Sequence, residues 1–426
     1  MTKTVANVNW YGTMKSVEQT TGSSKTATYT GSASGSGIDY ISAVTAANNV
    51  ASENATAISL SYYADGYDTT HSITYNTVTE NYQSIEIDGV TRNYVLININ
   101  PNDVSNIQNV LLCFPAGGDS DSTFIDYTSF NYIGSPVIVF LGQSSENIYT
   151  FQNAFLWLYN NFNQNGVTLS YQNDVKFVDT VLLNLFGSNI PELFLTGKSD
   201  GGGFCILYSN ISNYKLYIKA IGICSSSHYG LNSVKNIGNF DINNCFIGNN
   251  NTIIPYNIIL PPNISIFIIH GTGDTVMPYY GQHCVEQNFN IAITPTSLWQ
   301  VIDPTLEVNN GIITNNTFTV SFPSYIQEII NNNNLTHSYG STTPTYSYSG
   351  YSSNNNNVLN FITIYNQNHD WSGHYDSGPD SNQPANFTMD ATYLMIKFFN
   401  LEMGSYIPTV KSIPCNLLTY KNEIIN

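Results

Sequence analysis

One segment of the chain reads Phe194-Leu-Thr-Gly-Lys-Ser-Asp-Gly-Gly-Gly203 and carries the pattern G-x-S-x-G. The apolar residues at its start predict a β-strand, and the residues from Gly203 onward predict a helix. A tight turn from strand to helix needs glycines because a Cβ atom would clash there, and it lifts the serine Oγ out at the carboxyl end of the strand. The pattern therefore predicts Ser199 as a nucleophile.

The same segment contains Gly-Lys-Ser, which also occurs in phosphate-binding loops. That motif needs a glycine five residues before the Gly-Lys pair, and this chain has Glu192 there. Gly271-Thr-Gly273 likewise lacks the third glycine of a dinucleotide-binding loop, because Val276 stands in its place. The spacing excludes both kinds of nucleotide site.

Apolar runs elsewhere in the chain predict further strands. The runs occupy residues 110–114, 137–140, 193–195, 220–223, 264–269 and 361–364. Ahead of them, Asp88-Gly89 separates two strand-like segments and favours a hairpin. Helical patterns lie between several of the runs, as at 174–185. Short apolar strands that alternate with helices are typical of a mostly parallel sheet buried on both faces, so we expect an α/β fold.

The composition of the chain changes near residue 82. The residues before it are rich in Ser, Thr, Gly and Ala, and we predict that 1–82 form a small N-terminal module of unknown role. A length of 426 residues fits one large α/β domain with such an appendage, so 83–426 are expected to form the main domain. Two long polar stretches, at about 225–262 and 286–357, are predicted to be insertions over one end of the sheet.

The charge of the chain argues against several classes of partner. It has 12 Lys and Arg residues against 29 Asp and Glu residues, for a formal net charge of −17. Without a basic stripe to neutralise phosphates, we expect no binding of nucleic acid and none of anionic membranes. No apolar run approaches the roughly 18 residues of a membrane span, and residues 1–16 lack a secretory pattern. We expect a soluble protein without a leader. A location on a virion surface or in the extracellular space would be consistent with a weakly charged exterior.

A serine hydroxyl becomes a strong nucleophile only when a base accepts its proton and a third group orients that base. Asp274 follows the apolar run 264–269, and His369 follows the run 361–364, so each is expected at a strand end. The order Ser199, Asp274, His369 is the order found in α/β-hydrolases. We predict these three residues as the catalytic set.

Other residues near these strand ends compete for the same roles. His374 is the alternative base, and Asp303 or Asp376 is the alternative acid. A zinc site built from His369, His374 and Asp376 is a further reading, but the loop shows no H-E-x-x-H helix and no nearby cysteine. We therefore predict no metal and no organic cofactor.

The tetrahedral intermediate of acyl transfer needs N–H donors that point at its oxyanion. One donor is commonly the N–H after the nucleophile, which belongs here to Asp200. The second commonly comes from a loop after an earlier strand, and residues 114–119 form that loop in this chain. Ala116 or Gly117 is the expected donor, because a small residue lets the backbone approach the substrate.

These segments together resemble the polyhydroxyalkanoate depolymerase and feruloyl esterase group of α/β-hydrolases. The resemblance covers residues 84–400 discontinuously and is carried by 87–94, 114–119, 173–177, 197–203, 270–274, 369–371 and 389–399. It implies an α/β-hydrolase fold, with Ser199 as nucleophile and Asp274 and His369 as its partners. It also implies that Trp371 forms a wall of the acyl pocket.

The chain departs from the pattern of this group at three places. The oxyanion loop of the group usually reads His-Gly, and this chain has Pro115-Ala116. A proline commonly follows the tryptophan of the group, and this chain has Ser372. Lys198 is an unusual neighbour for the nucleophile. These differences leave the predicted catalytic set in place and bear on the substrate and the efficiency.

The leading hypothesis is a serine carboxylic-ester hydrolase, similar to polyhydroxybutyrate depolymerases and feruloyl esterases, that acts on a small-molecule or polymeric ester. Tyrosine-rich insertions would give it an aromatic, weakly charged lid. The alternative is a structural or attachment protein of a virion or extracellular surface, built on an esterase-like core with little or no activity. In that case the N-terminal module would serve self-association or surface attachment.

Overall fold

The computed structural model of the chain describes most of the expected strands and helices. The described residues are 3–18, 24–37, 45–47, 49–50, 67–117, 119–142, 162–164, 167–169, 171–226, 264–274, 279, 308–309, 312–313, 326–327, 329–331, 333–354, 357–373 and 389–404. The strands within them are β1 Lys3–Glu18, β2 Ser24–Gly37, β3 Tyr67–Ile87, β4 Val90–Ile97, β5 Asn109–Phe114, β6 Val137–Phe140, β7 Phe162–Gln164, β8 Val167–Leu169, β9 Glu192–Lys198, β10 Ile218–Cys224, β11 Ser265–Gly271, β12 Val308–Asn309, β13 Ile312–Ile313, β14 Thr336–Thr342, β15 Tyr346–Ser352 and β16 Val358–Ile364. The α-helices are α1 Asp121–Thr128, α2 Tyr171–Phe186, α3 Asp200–Ile211 and α4 Ala391–Phe399.

Twelve of these strands form one sheet, in the order β14-β15-β16-β11-β10-β9-β5-β6-β4-β3-β1-β2. The six central strands, from β16 to β6, run parallel to one another. Antiparallel strands extend the sheet on both sides, with β4, β3, β1 and β2 beyond β6, and β15 and β14 beyond β16. A mostly parallel sheet with helices packed on it is an α/β fold, as the sequence predicts.

Helices cover both faces of the central strands. One hydrophobic cluster joins α2 and α3 to one face of the sheet, and it includes Phe114, Phe177 and Phe204. The other joins α1 and α4 to the opposite face, and it includes Phe124 and Phe398. Every residue of β6 and of β11 is buried, which accounts for the continuous apolar runs in the sequence. The carboxyl ends of the parallel strands are thereby held in one rigid rim.

A buried ion pair fixes α2 against β4. The Arg92 guanidinium lies 2.7 Å from the Asp174 carboxylate, and Arg92 Nη2 also donates to the carbonyl of Leu141 at 3.2 Å. Its guanidinium carbon lies 4.4 Å from the centre of the Phe177 ring. Burial lowers the pKa of Arg92, and the charge of Asp174 opposes that shift. The arginine of the predicted hairpin segment 87–94 is therefore a structural element.

The N-terminal strands join the main sheet directly. Residue 82, the predicted boundary, lies inside β3, which pairs with β1 on one side and with β4 on the other. Hydrogen bonding in the sheet thus continues across that boundary. The division of the chain into an N-terminal module and a main domain stays a prediction.

Part of the second predicted insertion belongs to the sheet. Within 286–357, β14 and β15 form an antiparallel hairpin that pairs with β16, so this part is not a loop over the end of the sheet. The Tyr339 ring lies against Gly350, where a Cβ atom would come within 2.1 Å of it, and its hydroxyl donates to Asn360 Oδ1 at 2.6 Å. Most of the first predicted insertion, from 227 onward, lies outside the described residues.

The helices in the described part of the chain are short. The longest of them, α2, has 16 residues, and a transmembrane helix needs about 20 apolar ones. None of these helices combines the length and the hydropathy that crossing a membrane requires.

Candidate active site

Ser199 lies in a strained turn between β9 and α3. Its backbone angles are φ 51° and ψ −119°, which a residue with a side chain seldom adopts and which cost about 1–3 kcal/mol. Three hydrogen bonds hold the turn: the Ser199 N–H donates to the Cys224 carbonyl at 3.1 Å, the Gly203 N–H donates to the Ser199 carbonyl at 3.2 Å, and the Ser226 hydroxyl donates to the same carbonyl. Strain at a residue held this firmly is typical of functional positions.

The glycines of the G-x-S-x-G pattern are required by close backbone contacts. A Cβ atom on Gly197 would lie 2.5 Å from the carbonyl carbon of Gly201, and one on Gly201 would lie 1.9 Å from the carbonyl oxygen of Phe114. Neither contact could be relieved by a side-chain movement, because backbone atoms make both. The turn therefore packs closely against the end of β5. The sequence predicts this need for glycines in a tight strand-to-helix turn that carries a nucleophilic serine.

The loops that carry Asp274 and His369 are bonded to each other. Asp274 follows β11, and its turn donates to the loop after β16 through the N–H of Gly273, which lies 2.9 Å from the Gln367 carbonyl. In return, the Asn366 N–H donates to Thr272 Oγ1 at 2.8 Å. Because β11 and β16 are adjacent parallel strands, the two loops emerge side by side at the same rim.

The structure brings two of the predicted catalytic side chains into direct contact. His369 Nδ1 lies 2.8 Å from Asp274 Oδ2, and the two side chains are 5% and 0% exposed. A carboxylate that accepts from Nδ1 leaves Nε2 of the imidazole as the nitrogen able to accept a proton. Ser199 follows β9, two strands from β11 in the sheet, at the same rim. Its hydroxyl makes no hydrogen bond with any residue that the structure describes.

A second imidazole contacts the same carboxylate oxygen. His270 Nε2 lies 3.5 Å from Asp274 Oδ2, and His270 Nδ1 lies 3.3 Å from the carbonyl oxygen of Ser226. The His270 side chain is fully buried. Since Ser226 also bonds to Ser199, His270 connects the acid turn to the turn of the candidate nucleophile. The four-residue spacing of His270 and Asp274 was the signal in the sequence for this contact.

The candidate oxyanion donors differ in whether their backbone N–H groups already donate a hydrogen bond within the protein. Asp200 is the first residue of α3, where backbone N–H groups have no partner within the helix. The Ala116 N–H instead donates to Asp119 Oδ2 at 3.2 Å, so it is directed into the loop. This bond argues against Ala116 as a donor to substrate and leaves Gly117 as the candidate from the loop.

Trp371 lies in the core beneath the histidine loop. Its ring has no exposed surface and packs edge-on against Phe124 and Phe130, with ring centres 6.0 and 5.7 Å away. Its Nε1 donates to Thr392 Oγ1 at 2.8 Å, which ties the loop to α4. Contact with a substrate stays a prediction for Trp371, whereas its visible role is to anchor the loop that carries His369.

Three competing candidates cannot be compared with this geometry. His374, Asp303 and Asp376 are outside the described residues, and with them the alternative base, the alternative acids and the zinc site.

Three cysteines that are described, Cys113, Cys205 and Cys224, are buried and free. Burial raises the pKa of each thiol, to about 11 for Cys224, so a thiolate nucleophile is disfavoured among them.

The chain is similar in structure to several solved hydrolases, at low sequence identity. An S-formylglutathione hydrolase from Agrobacterium tumefaciens is 8% identical, with a TM-score of 0.41, and the match covers 69% of this chain and 89% of the other. Est1E from Butyrivibrio proteoclasticus is 16% identical, with a TM-score of 0.31 over 46% and 80%. Acetyl xylan esterase 1 from Thermoanaerobacterium sp. is 12% identical, with a TM-score of 0.28 over 48% and 70%. No protein-family model and no curated protein matches the sequence.

Proposed function

We propose that this protein is a serine carboxylic-ester hydrolase in which Ser199, His369 and Asp274 are the catalytic residues. The observation that supports it best is the buried His369–Asp274 hydrogen bond of 2.8 Å, at the rim where Ser199 sits in a strained turn. A buried imidazole oriented by a carboxylate is what a serine hydroxyl needs from its base. The proposal assigns no cofactor.

The reaction proceeds in two half-reactions. Ser199 Oγ attacks the ester carbonyl carbon while His369 Nε2 accepts the hydroxyl proton, and Asp274 stabilises the imidazolium that forms. The oxyanion of the tetrahedral intermediate accepts hydrogen bonds from the N–H groups of Asp200 and Gly117. The imidazolium then gives its proton to the departing alcohol. Water attacks the acyl-enzyme by the same route, releasing the carboxylic acid and restoring Ser199.

The substrate class follows from the sequence resemblance alone. Similarity to polyhydroxybutyrate depolymerases and feruloyl esterases favours a polyester strand or an ester of a phenolic acid. A chain with only 10% charged residues and 31 tyrosines suits either kind of substrate, since both are largely uncharged.

The test compares the wild type with Ser199→Ala. We expect a fluorophosphonate probe to label the wild type and short-chain nitrophenyl esters to be hydrolysed, with both signals lost in the variant. Ser188→Ala, at an exposed turn, is the matched control and should behave as the wild type does. A folded wild type that is neither labelled nor active would reject the esterase and favour the structural or attachment protein.

A further inference from the structure

A buried polar cluster lies between the oxyanion loop, α1 and the elbow of Ser199. Its members are Asp119 at the end of the loop, Tyr127 on α1 and Lys198 beside the nucleophile, with exposed fractions of 8%, 4% and 2%. Neither the resemblance nor the proposed reaction gives any of them a role. Burying two ionisable groups and a phenol is unfavourable unless each is partnered, so a cluster of this kind calls for an explanation.

Asp119 closes the oxyanion loop on itself. Its N–H donates to the Ala116 carbonyl at 3.1 Å, and its Oδ2 accepts from the Ala116 N–H at 3.2 Å. Pro115 has no N–H, and the N–H of Ala116 is used within the loop. Gly117 is therefore the first residue after β5 whose N–H this arrangement leaves available.

A hydrogen bond from Tyr127 holds the Asp119 carboxylate in place, and Lys198 lies over the Tyr127 ring. The Tyr127 hydroxyl donates to Asp119 Oδ2 at 2.6 Å, so the same oxygen accepts from the loop and from α1. The Lys198 ammonium lies 5.1 Å from the centre of the Tyr127 ring. Burial raises the pKa of Asp119, while the charge of Lys198 and the two hydrogen bonds favour its ionised form. The charge of Lys198 thus opposes the effect of burial on Asp119.

We infer that Asp119, held by the Tyr127 hydroxyl, is a positioning residue that fixes the loop after β5 so that the Gly117 N–H points at the oxyanion. The inference rests on the proposed esterase reaction. It accounts for one departure from the related group: Pro115-Ala116 supplies no donor to substrate, because Pro115 has no N–H and the Ala116 N–H is bonded to Asp119. In this proposal Asp119 acts through the conformation of the loop, which is why it is called a positioning residue.

The first test separates transition-state stabilisation from substrate binding. Asp119→Ala removes the acceptor of both hydrogen bonds, and we expect kcat for a nitrophenyl ester to fall about 10- to 100-fold with KM within about twofold. Asp119→Asn can still accept both bonds through its amide oxygen, so it should recover most of the lost rate. Asp126→Ala, an exposed residue of α1, is the matched control and should change neither constant. A raised KM with unchanged kcat, or no rescue by asparagine, would overturn the inference.

The second test does not depend on activity. Amide hydrogen exchange should accelerate at least about tenfold in residues 115–119 of Asp119→Ala and leave the peptide covering β10 unchanged. Tyr127→Phe should accelerate amide exchange in the same residues to a smaller degree. This variant replaces Asp119→Ala in the test if the alanine variant does not fold. Exchange that stays at the wild-type rate in the loop rejects Asp119 as its support. If the wild type itself has no esterase activity, the proposed function fails, and faster exchange would still establish that Asp119 holds the loop.

Discussion

His369 and Asp274 come from loops after two adjacent parallel strands, and their side chains meet at 2.8 Å with almost no exposure to solvent. The sheet sets this relationship, because β11 and β16 end at the same rim and their loops are bonded to each other. A buried carboxylate in such a contact fixes both the tautomer and the orientation of the imidazole.

Asp274→Asn should therefore lower kcat strongly without unfolding the protein. The amide has nearly the volume of the carboxylate, but it neither stabilises an imidazolium nor enforces the required tautomer. We expect kcat for a nitrophenyl ester to fall about 10³- to 10⁴-fold. Steady-state kinetics measure this loss. The control is the same substitution at an exposed position, Asp103→Asn, which should leave kcat unchanged. A loss below tenfold would assign the acid role to another residue.

Removal of the second imidazole on Asp274 should cost both stability and rate. His270→Phe keeps an aromatic ring but loses the contacts with Asp274 and with the Ser226 carbonyl, so each of these buried groups loses one polar partner. We expect a loss of about 1–3 kcal/mol in the free energy of unfolding and about a tenfold lower kcat. Urea unfolding and kinetics measure the two effects.

The control for this variant is His337→Phe, at an exposed position on β14, which should alter neither quantity. If His270→Phe were as stable and as active as the wild type, the His270–Asp274 contact would have no energetic weight.

The central strands could be predicted because each contains a run of apolar residues, and β11, for instance, is buried along its whole length. The strands β1 and β2 and the first part of β3 gave no such signal, because Ser, Thr, Gly and Asn interrupt their apolar residues; only the end of β3, before Asp88-Gly89, could be predicted. The hairpin of β14 and β15 differs from the predicted loop because its tyrosines and serines are equally common in polar loops. Its place in the sheet comes from the pairing of β15 with β16, the next strand in the chain.

The candidate catalytic residues could be predicted for a different reason. Each follows an apolar run that predicts a strand, so Ser199, Asp274 and His369 could be assigned to the carboxyl ends of strands in one parallel sheet. The support of the oxyanion loop could not be, because Asp119 and Tyr127 meet only once α1 has folded over the loop. The bond from the Ala116 N–H to Asp119 also depends on the conformation of the turn, which the sequence alone does not fix.

The strained backbone of Ser199 predicts an unusual order of stabilities. Ser199→Gly and Ser199→Ala both remove the hydroxyl, but glycine adopts positive φ without a Cβ clash. We expect Ser199→Gly to be the more stable by about 1 kcal/mol, against the usual preference for alanine. Urea unfolding of the pair measures the difference. At the exposed Ser188, where φ is not positive, the alanine variant should be the more stable, and the same order at Ser199 would show that its turn is not strained.

The raised pKa of Asp119 predicts how the stability of the protein depends on pH. Because burial raises the folded-state pKa above its ordinary value of 3.8, the folded protein holds this proton more tightly than the unfolded chain does. The contribution of Asp119 to stability is thus fully present below pH 3.8 and is lost as the pH rises through the folded-state pKa. Asp119→Asn cannot ionise, so its stability relative to the wild type should improve as the pH is raised from about 3.5 to 7. Urea unfolding of both proteins at several pH values measures this difference, and a relative gain for the wild type over that range would mean that the cluster lowers the pKa of Asp119.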